Sequence, residues 1–77
     1  MEFAELRQLM ADVFECDPAA ITPDSTPESV ASWDSLRLLY LVLEIEKHAC
    51  IEISSDELEK MISVPAILRI IEQAHVA

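Results

Sequence analysis

Apolar side chains recur at steps of three and four residues along three stretches of the chain, and this spacing predicts three main helices. The first runs over residues 2–15, the second over residues 35–49, and the third begins after Ser63. The first helix has one apolar face and one largely acidic face, which is typical of a surface helix that packs on a core. Its predicted inner positions are Phe3, Leu6, Met10, Val13 and Phe14.

A short segment separates the second and last main helices. Its residues Ile51-Glu52-Ile53 alternate like a strand, but we expect them to be too few to pair into a sheet. Ser54 and Glu57 form a capping-box pattern that predicts a short helix to about Met61. Ser63 is the expected N-cap of the last helix. The predicted inner face of that helix consists of Val64, Ile67, Leu68 and Ile71.

The connection between the first two helices is long, covering residues 16–33. Asp17-Pro18 ends the first helix, because proline disfavours helical backbone at the residue before it. The chain contains no glycine, so this loop must turn without the left-handed conformations that glycine adopts at low cost. We expect Ile21, Val30 and Trp33 to pin the loop to the core. The predicted fold class is therefore all-α, a small bundle of three main helices plus one short helix, with a long loop between helices one and two.

The second helix has two apolar faces, of which only one can be buried in a small bundle. At about 100° per residue, an uncharged stripe is formed by Leu38, Leu41, Val42, Ile45 and Ala49. The opposite side carries Leu36, Tyr40 and Leu43, which we call the outer strip, together with Lys47 and the flanking Arg37 and Glu44. Because the uncharged stripe faces the core, we expect the outer strip and its charged neighbours to be exposed and to bind partner proteins.

Length and charge narrow the possible functions. The 77 residues, with a formal net charge of −10, fit a single domain over residues 1–77. So strong a negative charge excludes nucleic acid as a natural partner and favours proteins with basic docking surfaces. No apolar run reaches the ~20 residues that span a bilayer, and the first residues lack the basic start of a signal peptide. We therefore expect a cytoplasmic monomer that does not insert into membranes.

The cysteines and histidines are too few and too scattered to suggest a site. Cys16 and Cys50 fall in no Cys-x-x-Cys pattern, and His48 and His75 lack metal-ligand spacing. We predict no metal ligands among them.

Ser35 is the strongest candidate for chemistry, in the run Trp33-Asp34-Ser35-Leu36 where the loop gives way to the second helix. A helix start presents unpaired backbone N–H groups and the positive end of the helix dipole, so it favours a phosphate group. Asp34 is a good N-cap, because its carboxylate can accept from an N–H group one turn into the helix. The serine hydroxyl is therefore not needed as the cap.

The order of these elements resembles an acyl carrier protein: an acidic helix, a long loop, Asp34-Ser35-Leu36, an apolar helix, and the run over residues 51–61. In that family the serine of Asp-Ser-Leu carries a 4′-phosphopantetheine arm through a phosphodiester, and the arm's thiol holds an acyl chain as a thioester. The resemblance implies that Ser35 is the attachment site, with Asp34 and Leu36 as its recognition neighbours. It also implies a phosphopantetheinyl transferase as partner, using coenzyme A and magnesium, followed by acyl-loading, condensing and tailoring enzymes.

The cargo is less well defined, because fatty acid, polyketide and aminoacyl carriers share this order of elements. Housekeeping fatty-acid carriers resemble one another in having an acidic second helix, whereas here Arg37 and Lys47 balance Glu44 and Glu46. This balance favours a specialised carrier of fatty acid or polyketide-type biosynthesis with a narrow set of partners. An aminoacyl or peptidyl carrier is the alternative.

Three functions of other classes are weaker hypotheses. A hydrolase would need a base within hydrogen-bond reach of Ser35, but His48 lies thirteen residues along the same helix, about 20 Å away. A calcium loop would need alternating oxygen ligands around a glycine, and the chain has no glycine. An unmodified helical adaptor explains the outer strip but leaves Asp34-Ser35-Leu36 to chance. We therefore predict a carrier and not an enzyme.

Overall fold

The computed structural model describes residues 1–76 and has the predicted all-α architecture, a small bundle of three main helices and one short helix. In chain order the elements are α1 (Phe3–Phe14), a 3₁₀ turn (Pro18–Ala20), α2 (Ser35–Ala49), β1 (Ile51–Glu52), α3 (Ser55–Glu59), α4 (Val64–Gln73) and β2 (His75–Val76). The bounds of α2 match the prediction, and α1 is one residue shorter at each end. No helix within residues 1–76 is both long and apolar enough to cross a membrane.

The core lies where α1, α2 and α4 meet, and it follows the predicted inner faces. Its fully buried side chains are Leu6, Met10, Phe14, Ile21, Leu41, Ile45, Met61, Val64 and Ile67. On α1, Phe3 and Val13 are only partly buried, whereas Leu9 and Ala11, which were not predicted, are buried. On α4, Leu68 is half-buried and Ile70 is buried. On α2, Leu41, Val42 and Ile45 are buried as predicted, whereas Leu38 and Ala49 are only partly buried.

The three predicted helix caps are confirmed. An Asp34 carboxylate oxygen accepts from the Arg37 N–H at 2.9 Å, and the Ser63 hydroxyl accepts from the Ala66 N–H at 3.2 Å. Ser54 and Glu57 form the reciprocal capping box. The helix that follows ends at Glu59, two residues earlier than expected. These caps fix where α2, α3 and α4 begin.

The segment β1 corrects one prediction. We expected it to be too short to pair, yet Ile51 lies opposite Val76 and Glu52 opposite His75 in an antiparallel pair with β2. The prediction failed because α4 carries the chain back alongside β1, a long-range event that local spacing does not reveal. A pair of two-residue strands leaves the all-α class unchanged.

The glycine-free loop before α2 turns by a repeated tetrapeptide, Thr22-Pro23-Asp24-Ser25 followed by Thr26-Pro27-Glu28-Ser29. In each copy the serine hydroxyl accepts from the threonine N–H, at 2.8 and 2.9 Å, and the serine N–H donates to the threonine carbonyl at 3.0 Å. Proline sits at the second turn position, where its fixed φ is favourable. Ile21, Val30 and Trp33 are buried, so the loop is pinned as predicted.

Left-handed backbone is confined to two helix ends in the part of the chain that the structure describes. Glu15 ends α1 at φ 54° and Cys50 ends α2 at φ 55°. This conformation costs more for these residues than for glycine, because their Cβ atom lies close to the following carbonyl oxygen. The chain therefore accepts some strain at both ends of the α1–α2 pair.

Candidate functional site

Ser35 is the first residue of α2, and its side chain is exposed. Asp34 precedes it in extended backbone and makes the capping bond to the Arg37 N–H. The cap is therefore supplied by the aspartate, and the serine hydroxyl stands at the positive end of the helix dipole, where a negatively charged phosphoryl group is stabilised.

A groove of about 390 Å³ opens beside Ser35. It lies where the end of the loop, the first turn of α2 and the α3–α4 region meet, and most of its lining is apolar. The lining residues are Pro27, Trp33, Asp34, Ser35, Leu38, Leu58, Glu59, Met61 and Ile62. The serine thus stands at the edge of a surface that can receive apolar groups attached to its hydroxyl.

Trp33 lines this groove and is also part of the core. Its ring stacks on Phe14, with centroids 5.6 Å apart and planes inclined by 28°, and only 4% of the residue is exposed. Its indole N–H is buried and has no hydrogen-bond partner in the described part of the chain. A buried donor without an acceptor costs about 1–3 kcal/mol, so an acceptor supplied by another group would be favourable.

The outer strip is exposed, as the spacing on α2 predicted. Leu36 is 58% exposed, Tyr40 51% and Leu43 54%. Two further apolar side chains that we did not predict are exposed, Leu39 at 44% on α2 and Ile62 at 65% before α4. Leu39 follows from the helical period that placed Leu36 and Leu43, but the sequence holds no comparable signal for Ile62.

Arg37 has a structural contact that its position on the helix did not indicate. Its guanidinium donates to the Val13 carbonyl at 2.9 Å and lies 3.6 Å from the Glu15 carboxylate. Val13 belongs to the last turn of α1, whose carbonyls have no partner within the helix. Arg37 therefore ties the start of α2 to the end of α1, and it is less available to a partner than we expected.

Glu44 and Lys47 lie beside the outer strip and pair with each other at 3.7 Å. Their side chains are 40% and 75% exposed, so this ion pair is weak and easily exchanged for contacts with a partner. A second groove, about 370 Å³ in volume, runs between α1 and α2 and brings Tyr40, Leu43 and His48 to Asp12 and Val13. Tyr40 and Leu43 of the outer strip thus form part of one wall of this groove.

His48 is far along α2 from Ser35, and it lines the second groove and not the one beside Ser35. Within residues 1–76, no cluster of three or more His, Cys, Asp or Glu side chains is placed to hold a metal ion. Cys16 and Cys50 are free thiols, the first half-buried and the second exposed. The chemistry that the site offers is an exposed hydroxyl beside an apolar groove.

These residues suit a 4′-phosphopantetheine group. The exposed hydroxyl can carry the phosphodiester, the helix start stabilises its charge, and the mostly apolar groove beside it can receive the carbons of the arm. The fit rests on the first turn of α2 and on the groove beside it.

Comparison with known proteins identifies a family and several relatives. Residues 4–71 match the family described as phosphopantetheine attachment site. Among curated relatives, the acyl carrier protein of Helicobacter pylori strain J99 is 27% identical over 75 residues, which cover 97% of this chain and 96% of the relative. The acyl carrier proteins of Helicobacter pylori strains G27 and HPAG1 are each 25% identical with the same coverage.

Proposed function

The chain belongs to the phosphopantetheine attachment site family, and from this premise we propose that it is an acyl carrier protein that holds acyl intermediates on an arm attached to the Ser35 hydroxyl. The observation that supports the proposal best is the exposed serine at the start of α2. Its hydroxyl is not needed as the N-cap, because Asp34 makes the capping bond. When bound, the arm supplies a terminal thiol that holds an acyl group as a thioester.

The residues around Ser35 have separate tasks in this proposal. Asp34 fixes the first turn of α2 through its bond to the Arg37 N–H, so the hydroxyl is presented in one orientation. Leu36, exposed directly after the serine, offers an apolar contact to the phosphopantetheinyl transferase that adds the arm. No residue near Ser35 is proposed to act as a base, since the protein serves as substrate for the transferase.

The partner-binding surface in this proposal is the outer strip with Glu44 and Lys47. Leu36, Tyr40 and Leu43 are each more than half exposed, and apolar residues at such positions are typical of docking surfaces. The partners are the transferase and the acyl-loading, condensing and tailoring enzymes. Because α2 carries both signs of charge, we propose that the carrier is specialised and serves a narrow set of partners. We propose fatty acid or polyketide-type biosynthesis as its pathway and the cytoplasm as its location.

The proposal is tested by intact mass after incubation with coenzyme A, magnesium and a phosphopantetheinyl transferase of broad specificity. We expect a gain of one phosphopantetheinyl group in the wild-type protein and none in Ser35→Ala. Ser55→Ala is a matched control, since Ser55 is also exposed and also the first residue of a helix. Modification of Ser35→Ala would contradict the site, and an unmodified wild-type protein would favour the adaptor hypothesis.

A further inference from the structure

Arg37 makes one hydrogen bond within the start of α2 and another to the end of α1. Its backbone N–H donates to the Asp34 carboxylate at 2.9 Å, which is the capping bond of α2. Its guanidinium donates to the Val13 carbonyl at 2.9 Å, in the last turn of α1. The residue that receives the cap beside Ser35 is therefore also the residue that holds the neighbouring helix end.

The contact with Val13 supplies what α1 lacks at its C-terminal end. The last carbonyls of a helix have no partner within it and form the negative end of the helix dipole, where a cation is favourable. The last turn of α1 contains no basic residue, and its C-cap Glu15 lies in left-handed backbone. Arg37 therefore brings both a donor and a positive charge from α2 to the end of α1.

The same contact makes the guanidinium a poor docking group. The Arg37 side chain is 33% exposed, and the Glu15 carboxylate lies 3.6 Å away and offsets its charge. The Lys47 side chain, by contrast, is 75% exposed. A cation that is largely covered and paired within the domain acts on the arrangement of the helices and not on the surface of a partner.

We propose that Arg37 is a positioning residue for arm attachment, because it fixes the first turn of α2 against the end of α1 and so holds the Ser35 hydroxyl in one place. This inference rests on the proposed attachment at Ser35. The transferase binds the outer strip, and Arg37 determines where the hydroxyl lies when that surface is bound. Arg37 itself touches neither coenzyme A nor the reacting atoms.

The position of the hydroxyl matters because it is the nucleophile in the transfer. The Ser35 oxygen forms a bond to the phosphorus that bears the pantetheine group, and the serine proton passes to the transferase or to water. The bond from that phosphorus to the rest of coenzyme A breaks, and adenosine 3′,5′-bisphosphate leaves. Misplacement of a reacting group by about 1 Å can slow such a step by up to about 100-fold.

The test measures kcat and KM of the full-length carrier as substrate of a phosphopantetheinyl transferase of broad specificity, with intact mass as the readout. We expect Arg37→Met to lower kcat roughly 10-fold and to leave KM within about twofold, because the outer strip still binds while the hydroxyl is misplaced. Arg69→Met makes the same change of size and charge at an exposed position of α4, and should leave both constants unchanged. A raised KM with unchanged kcat in Arg37→Met would show direct contact with the transferase and would overturn the proposal.

A second control separates positioning from loss of stability. Ile70→Val removes a methyl group from a buried side chain of α4 that does not line the groove beside Ser35, and it should lower Tm. Both variants are assayed at a temperature at which circular dichroism shows them to be folded. We expect Ile70→Val to keep the wild-type kcat. An equal loss of kcat in Ile70→Val and Arg37→Met would show that stability alone sets the rate and would contradict the proposal.

Two further variants identify which contact of Arg37 matters. Glu15→Gln removes the ion pair but keeps the bond to Val13, so kcat should stay within about twofold, as expected for a carboxylate that is 76% exposed. Arg37→Lys keeps a charged donor and should recover part of the kcat lost in Arg37→Met. A loss in Glu15→Gln as large as that in Arg37→Met would exclude the Val13 bond as the cause, and so would an Arg37→Lys variant no faster than Arg37→Met.

The outcomes for this inference and for the proposed function are distinct. A wild-type protein that gains no mass would overturn the proposed function. A wild-type protein that gains the arm, together with equal kcat in Arg37→Met and Arg69→Met, would overturn the positioning role alone. Should Arg37→Met fail to fold, Arg37→Gln and Arg69→Gln replace the pair.

Discussion

The two faces of α2 are built from the same kinds of residue but differ in burial. Leu41 and Ile45 are fully buried, whereas Tyr40 and Leu43 are about half exposed. Leu41 and Leu43 are chemically identical and only two residues apart. Their angular position on the helix, and not their hydrophobicity, decides whether they stabilise the fold or remain available to a partner.

The outer face also differs along its length. Near its start, Arg37 contacts Val13 and Glu15 of the neighbouring helix end. Near its end, Lys47 pairs with Glu44 on the same helix. The charged residues that flank the outer strip therefore divide into one that joins two helices and a pair that remains at the surface.

The largest expected effect is a difference in stability between variants of Leu41 and Leu43. Leu41→Ala should lower the free energy of unfolding by about 2–5 kcal/mol, because it removes a fully buried side chain and leaves a cavity. Leu43→Ala should cost less than about 1 kcal/mol, because half of its side chain already meets water. Denaturant unfolding of both variants measures the difference. Equal losses would mean that the faces of α2 are wrongly assigned.

The same assignment of faces predicts that variants of the exposed face, which cost little stability, have the larger effect on partner binding. Leu43→Ala and Tyr40→Ala should slow arm attachment by the transferase while keeping the fold, because they remove exposed apolar contacts from the outer strip. Rates of mass gain at low transferase concentration measure this effect. Cys50→Ser, exposed at the far end of α2, is a control that should leave the rate unchanged. A rate unaffected by either strip variant would exclude the strip from this encounter.

A smaller difference in stability is expected between variants of the two cationic side chains, Arg37 and Lys47. Arg37→Met should lower the free energy of unfolding by about 1–2 kcal/mol, because the Val13 carbonyl loses a charged donor while the methionine retains the aliphatic packing. Lys47→Met should change it by less than about 0.5 kcal/mol, as expected for an exposed ion pair. Thermal unfolding of both variants is the measurement. A larger loss for Lys47→Met would contradict the structural role given to Arg37.

The smallest expected effect concerns the charge of the whole molecule. With a formal net charge of −10, moderate sodium chloride should raise Tm, because screening weakens the repulsion between acidic groups. The gain should stay below about 1 kcal/mol, or roughly 4–8 °C. A variant with Asp24→Asn and Glu28→Gln should respond less to salt, since it carries less charge. A Tm that falls with salt would contradict the repulsion.

The features that the sequence predicted correctly depend on neighbours within about four residues. The inner and outer faces of α2 follow from its period, and the caps at Asp34 and Ser63 follow from residue type and position. The exposure of Ser35 follows from these two features together. Its chemical role remains a prediction until the mass gain is measured.

The features that the sequence did not reveal depend on distant contacts. Arg37 and Val13 are 24 residues apart, and the pairing of Ile51 with Val76 spans a greater distance. The unpaired indole of Trp33 is also hidden from local spacing, because it depends on the absence of an acceptor across the whole core. Periodicity identifies which side of a helix faces inward, but not which atoms it meets there.

The repeated Thr-Pro-x-Ser turns have a consequence for the unfolded chain. A flexible loop of this length would lose much conformational entropy on folding, and glycines would increase that loss. Each proline restricts its own φ before folding begins and can contribute about 0.4–1 kcal/mol by reducing the freedom of the denatured ensemble. Pro23 and Pro27 both lie in this segment. Part of the order that presents Ser35 is therefore already present in the chain before the domain has formed.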